Sequence, residues 1–160
     1  MQYRHTQRSP LGWLLLAFGI ISVATLLGLW NTLPPPSMSI AIATILGTAA
    51  ALFMVLAASF WSLTVEDDGE ALRVRYGPLP LFGTRVPYAT ITSVARGRSA
   101  FIDGWGIHYV PGRGWTFNLW GRECVVLTRG GRTLRIGTDD ADGLAAFLQT
   151  RLCSPDAQVL

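Results

Sequence analysis

The chain has no lysine, and between Arg8 and Glu66 it has no charged residue of either sign. The first absence leaves all positive charge to arginine, whose planar guanidinium suits bidentate recognition of phosphate or carboxylate. The second excludes an ordinary soluble domain, because a stretch of that length without a charge has no solvent-facing side. Formal net charge is +3, from thirteen arginines and ten acids. With Arg4 and Arg8 set aside, eleven arginines face the same ten acids, an excess too small and too scattered for a nucleic-acid binder. Two cysteines, Cys124 and Cys153, and two histidines, His5 and His108, lack metal-ligand spacing, so we expect no metal, no cofactor and a pair of buried, reduced thiols. Neither a GxxxxGK[ST] loop nor a strand–GxGxxG–helix context is present to cradle a nucleotide.

The uncharged stretch holds two long apolar runs, about Leu11–Trp30 and Ser37–Trp61, each long enough at about 1.5 Å per residue to cross a hydrocarbon core of about 30 Å. The separating "NTLPPPS" cannot continue a helix. The first run is long for a signal-peptide core and lacks a small-x-small cleavage site, so a two-helix transmembrane hairpin over 11–62 is expected. Trp13, Trp30 and Phe60-Trp61 fall where interface anchors belong. Ala24 and Gly28, with Ala43, Gly47 and Ala51, form a small-residue stripe for close helix packing. Arg4 and Arg8 precede the first span while the loop is uncharged, which predicts a cytoplasmic N-terminus and, after two crossings, a cytoplasmic C-terminal domain. With no ionisable group in either helix, the pair reads as an anchor rather than a transport path.

Residues 1–10 then form a cytoplasmic segment, 63–153 the soluble domain and 154–160 a flexible tail. "LTVEDDGEALRVRY" reads as a hairpin, with Leu72, Val74 and Tyr76 on one face and Arg73 and Arg75 on the other. "TRVPY" and "ITSVARGRS" are further strands. "WGIHYV" and "WTFNLW" flank the turn "PGRG", and "ECVVLTR" and "TLRIGT" flank "GGR". "DDADGLAAFLQTRL" places Leu144, Phe147, Leu148 and Leu152 at helical spacing, with Thr138 as N-cap. The expected fold is a membrane α-helical hairpin plus an α+β domain.

"VPYATITSV" (Val86–Val94), Gly106-Ile107 and "VVLTRGGRTLRIGTDDADGLAAFL" resemble bacterial pleckstrin-homology-like (PH-like) domain membrane proteins. The resemblance covers about the last hundred residues, and two preceding membrane helices are common in that family. It implies a PH-like antiparallel β-barrel capped by a C-terminal helix, held at the bacterial inner membrane as a binding platform without catalytic residues. A fold of that kind does not name a ligand.

Ser99, Asp103 and His108 supply triad residue types, but no nucleophile-elbow context surrounds them, so no enzyme is expected. A binding surface is the stronger reading. Arg73 with Arg75, Arg96 with Arg98, and Arg113 at a hairpin tip offer guanidinium groups to anionic lipid headgroups, although Glu66, Asp67, Asp68 and Glu70 offset the field. Trp105 and Tyr109 share one strand face; of Trp115/Phe117/Leu119 and Thr116/Asn118/Trp120, one set lines the core and the other leaves Trp120 at the surface. Exposed aromatics beside arginines favour protein contacts, so the expected function is an interaction module that binds protein partners or self-associates at an edge strand, with lipid-headgroup binding as the alternative.

Overall fold

The computed structural model describes residues 2–30, 32, 36–99 and 105–153. The chain begins with a strand, β1 (Arg4–Arg8), and two long helices follow, α1 (Leu11–Leu29) and α2 (Pro36–Ser59). Pro36 opens α2, where a missing N–H costs nothing. Both helices are long and apolar enough to cross a membrane, and little of either is buried within the protein. They pack against each other where Gly19 meets Ala50, Phe53 and Met54, and Gly12 meets Trp61 just past the end of α2. Of the anticipated Ala24/Gly28 and Ala43/Gly47/Ala51 stripe, Ala43 is part-buried and the other four residues stand outside this contact. Ala24, Gly47 and Ala51 are exposed, and a Cβ added at Gly28 or Gly47 would meet nothing within 4 Å.

Leaving α2, the chain forms β2 (Ser62–Asp67), β3 (Ala71–Gly77) and β4 (Gly83–Pro87). Together with β1 these make a four-stranded sheet in the order β1-β2-β3-β4. β1 pairs antiparallel with β2 from Arg4↔Glu66 to Arg8↔Ser62, so the residues before the first helix belong to the domain that follows the second. A 3-10 turn over Tyr88–Thr90 carries the chain into β5 (Ile91–Arg98). Then come β6 (Gly106–Val110), β7 (Gly114–Asn118), β8 (Glu123–Arg129), β9 (Arg132–Gly137) and the closing helix α3 (Ala141–Cys153). The second sheet has the order β5-β8-β9-β7-β6.

The two sheets are open, with no strand pair joining them among the described residues, so the expected PH-like antiparallel barrel takes the form of two separate packed sheets and does not close. Nor is the pairing all antiparallel: the β6–β7 and β8–β9 hairpins lie side by side so that β7 runs parallel to β9, Trp115↔Leu134 to Phe117↔Ile136. Gly114 makes that approach possible, since a Cβ there would lie inside the Thr133 carbonyl.

One core joins the layers. Leu72, Val74 and Tyr76 from β3 meet Val125, Leu127 and Ile136 from β8 and β9, with Leu144 and Leu148 of α3 closing one end. Phe147 and Leu152 pack partly buried against it, completing the helix stripe. The cap of α3 is Asp140, not Thr138: its Oδ1 accepts from the Gly143 N–H (3.1 Å), while Thr138 Oγ1 accepts from the Asp140 N–H (3.1 Å).

Candidate interaction cleft

Each arginine pair sits on a regular strand face, but acids answer it. Arg73 and Arg75 project outward from β3, with Glu66 directly across from Arg73 on β2. Glu66 lies 3.9 Å from Arg75 and 3.7 Å from Arg4. Arg85 next door grips Asp68 through two bonds, of 2.9 and 3.2 Å, which hold that carboxyl below its usual range. Arg96 reaches Asp142 (2.6 Å) and Arg98 reaches Glu123 (3.1 Å). Arg75, Arg96 and Arg98 are thus held in exposed ion pairs, each worth about 0–1 kcal/mol, while Arg73 faces Glu66 only across the ladder.

The aromatic candidates divide between the two ends of the β6–β7 hairpin. Trp105 packs tilted on Trp120, ring centroids 4.3 Å apart, at the end where β6 begins and β7 finishes. Tyr109 packs on Trp115 at 5.7 Å near the turn. All four rings are exposed. Phe117 and Leu119 line the core as expected of their face, but Trp115 on that same face emerges at the open margin between the sheets, and Thr116 and Asn118 opposite are also buried. Arg113 sits in the turn, its carbonyl accepting from the Arg135 guanidinium. The eight predicted site residues thus occupy four separate places.

Sequence reasoning missed the cleft beside that open margin. It has a volume of about 500 Å³ and lies between the outer side of β4 and the uncovered part of the second sheet. Phe82, Ile107, Phe117 and Leu134 give it an apolar lining. Trp115, Arg129 and Arg132 stand around its mouth, and neither arginine makes an ion pair among the described residues. The Tyr76 N–H donates to the Phe82 carbonyl, so by register Thr84 also bonds toward β3, while Gly83 and Arg85 turn their peptide groups to the open side. Two such residues, ending at Pro87, are a poor template for a further strand. The cleft offers side-chain contacts instead.

A second missed feature ties the domain together. Asp67, whose side chain is 2% exposed, accepts from Arg151 of α3 at 2.5 Å, from the Tyr88 hydroxyl at 2.8 Å and from the Gly69 N–H at 2.9 Å. Burial pushes this carboxyl up, but those three donors outweigh it and hold it below its usual range. Arg151 lies over the Tyr88 and Phe147 rings. Burial, reinforced by bonding to Asp67, raises the Tyr88 phenol. Tyr3 stacks on Phe147 and donates to Asp140 (2.9 Å), and burial raises its phenol too. Eighty-four positions separate Asp67 from Arg151, so no spacing announces the pair.

Ser99 follows β5 and His108 lies on β6, the opposite edges of their sheet, and Asp103 falls outside the described residues. No group of three or more His, Cys, Asp or Glu side chains converges among the described residues. Cys124 is buried, but Cys153 at the end of α3 is exposed, contrary to expectation, because its position points past the last core contact. Comparison of the chain with protein-family models, with curated proteins and with solved structures gives no match.

Proposed function

We propose that this chain is a two-span protein of the bacterial inner membrane, both termini cytoplasmic, whose PH-like domain binds a protein partner without catalysis. The cleft between β4 and the second sheet carries the reading: an apolar lining with two arginines at its mouth suits an apolar segment flanked by an acidic side chain. The hairpin order and closing helix support the PH-like relation, while the open sheets and parallel β7–β9 pair depart from it. Pairing of β1 with β2 favours the two-span topology. It keeps the chain on one side before α1 and after α2, and cleavage behind α1 would strip an edge strand from the sheet. Arg4 and Arg8 favour the cytoplasmic side. Headgroup binding by the arginine pairs is weaker, since Glu66, Glu123 and Asp142 already engage three of the four guanidinium groups, Arg75, Arg96 and Arg98.

A photo-crosslinking residue at Thr84, in the cleft, tests this in the full chain in native membranes. A discrete protein adduct from Thr84, a second copy included, lost on Leu134→Arg and absent from the same probe at Thr6, is the expected result. Adducts to lipid alone, or none, overturn it.

A further inference from the structure

Apolar and aromatic side chains ring the base of the domain where the two helices leave it. Trp13 of α1 packs on Trp61 at 4.6 Å, beside Gly12. The loop after β3 is held to the end of α2, the Leu79 N–H donating to the Ala58 carbonyl at 3.2 Å, and it presents Leu79 and Leu81 to the outside. Phe60, the residue after α2, stacks on Phe82 (5.4 Å) and meets Tyr76 edge-on (5.1 Å). The Tyr76 hydroxyl in turn bonds the Gly106 and Asn118 carbonyls, which fixes the Trp105/Trp120 end of the β6–β7 hairpin at this same base. Gln7, one residue before the end of β1, donates to the Trp120 carbonyl at 2.7 Å.

There is no linker between anchor and domain. Two residues separate β1 from α1, and two separate α2 from β2. Helices this apolar fix the depth of whatever is attached rigidly to their ends. The attached rim is Leu79, Leu81, Trp105 and Trp120, all exposed, with no charge on any of them. Tryptophan at such a depth prefers the headgroup layer, its ring half in hydrocarbon and its N–H in water.

We infer that this rim is a membrane-seating collar: the domain does not hang from its helices but rests its base in the lipid headgroup and upper acyl layer. The inference rests on the two helices spanning the bilayer. The hairpin supplies an internal control, because Trp105 and Trp115 are nearly equally exposed, 53% and 50%. Along strands rising about 3.3 Å per residue, the Tyr109–Trp115 pair stands roughly 13 Å from the Trp105–Trp120 end. That is about twice the ~6 Å depth of one headgroup layer.

Full chains each retaining one tryptophan, the others changed to phenylalanine, are reconstituted in phosphatidylcholine–phosphatidylglycerol vesicles brominated near the glycerol end of the acyl chain. We expect Trp30, Trp105 and Trp120 to be quenched roughly twofold or more above Trp115. Trp30 quenched with Trp105 and Trp120 at the Trp115 level overturns the collar and leaves the spans intact; Trp30 unquenched overturns both. Equal quenching of Trp105 and Trp115 also overturns the collar, since the domain would then lie on its side. A chain with all tryptophans kept, spin-labelled through Leu79→Cys in a Cys153→Ser background, reports the same depth. Collision with oxygen favoured over a water-soluble nickel chelate is expected, and the reverse preference overturns the collar.

Discussion

Where α1 meets α2 and the residues just past its end, close approach is made by what the side chains lack: Gly12 lies under Trp61, and Gly19 lies against the Ala50 carbonyl and Phe53. Where the two sheets meet each other and α3, contact is made by what the side chains add. A Tyr76 hydroxyl bridges strands of both sheets, and a nearly buried carboxylate holds the end of α3. The difference follows from the surroundings. With the two helices in lipid, as proposed, no hydrophobic force separates one face from another, so close backbone approach decides the pairing. In the domain, burial of apolar surface drives assembly without direction, and polar ties between distant segments choose one arrangement.

The widest test of the domain's side is Tyr76. Tyr76→Ala removes a ring at 0% exposure from the centre of the core, and a loss of about 3–5 kcal/mol is expected in denaturant unfolding of the full chain in mild detergent. Tyr76→Phe keeps the ring and removes the hydroxyl's bonds to the Gly106 and Asn118 carbonyls, for a loss of about 1 kcal/mol. If the two variants cost the same, the hydroxyl and not the ring joins the sheets, and the contrast between packing and polar ties would need redrawing.

Next in size is the Asp67–Arg151 tie. Arg151→Met leaves a carboxylate at 2% exposure without its charge partner. A buried pair broken this way costs about 3–5 kcal/mol, but Arg151 is itself 37% exposed, so about 2–3 kcal/mol is expected. Acid reports the same tie. Asp67 is depressed in the folded protein, so its contribution is complete above the unfolded carboxylate value of about 3.9 and is lost as pH falls below that through the folded value. Asp67→Asn should lower stability at neutral pH and flatten the loss below about pH 4 relative to the parent. An acid limb of unchanged slope would mean that other carboxylates, Asp68 foremost, carry it.

The same contrast explains what could be read in advance. Apolar helices announce themselves by the missing charges from Arg8 to Glu66, and hairpins by "PGRG" and "GGR", because those signals are local. The strand β1, "RHTQR", has no apolar alternation, since it is an edge strand whose one deeply buried side chain is a glutamine. The parallel pairing of β7 with β9, the Asp67–Arg151 tie and the cleft depend on segments brought together only by folding. The offset of Arg73 and Arg75 by nearby acids was legible, but the partners of Arg96 and Arg98 were not, because Glu123 and Asp142 come from other elements. Small-residue spacing found two glycines in the right helices and chose the wrong faces, since a small residue marks a contact only if the partner helix turns toward it.

That last point can be measured. Gly12→Leu and Gly28→Leu each remove a helical glycine, worth about 1 kcal/mol of propensity, so the difference between them reads packing alone. A Cβ at Gly12 would stand 2.8 Å from the Trp61 ring and 3.1 Å from its Cα, so the leucine must displace backbone as well as ring. A Cβ at Gly28 meets nothing within 4 Å. Thermal unfolding of the helical signal in mild detergent should place Gly12→Leu about 1–2 kcal/mol below the parent, with Gly28→Leu at or slightly above it. The opposite ranking would return the helix contact to the Ala24–Gly28 face. It would also detach Trp13 from Trp61, and with it the rigid seat on which the depth of the domain depends.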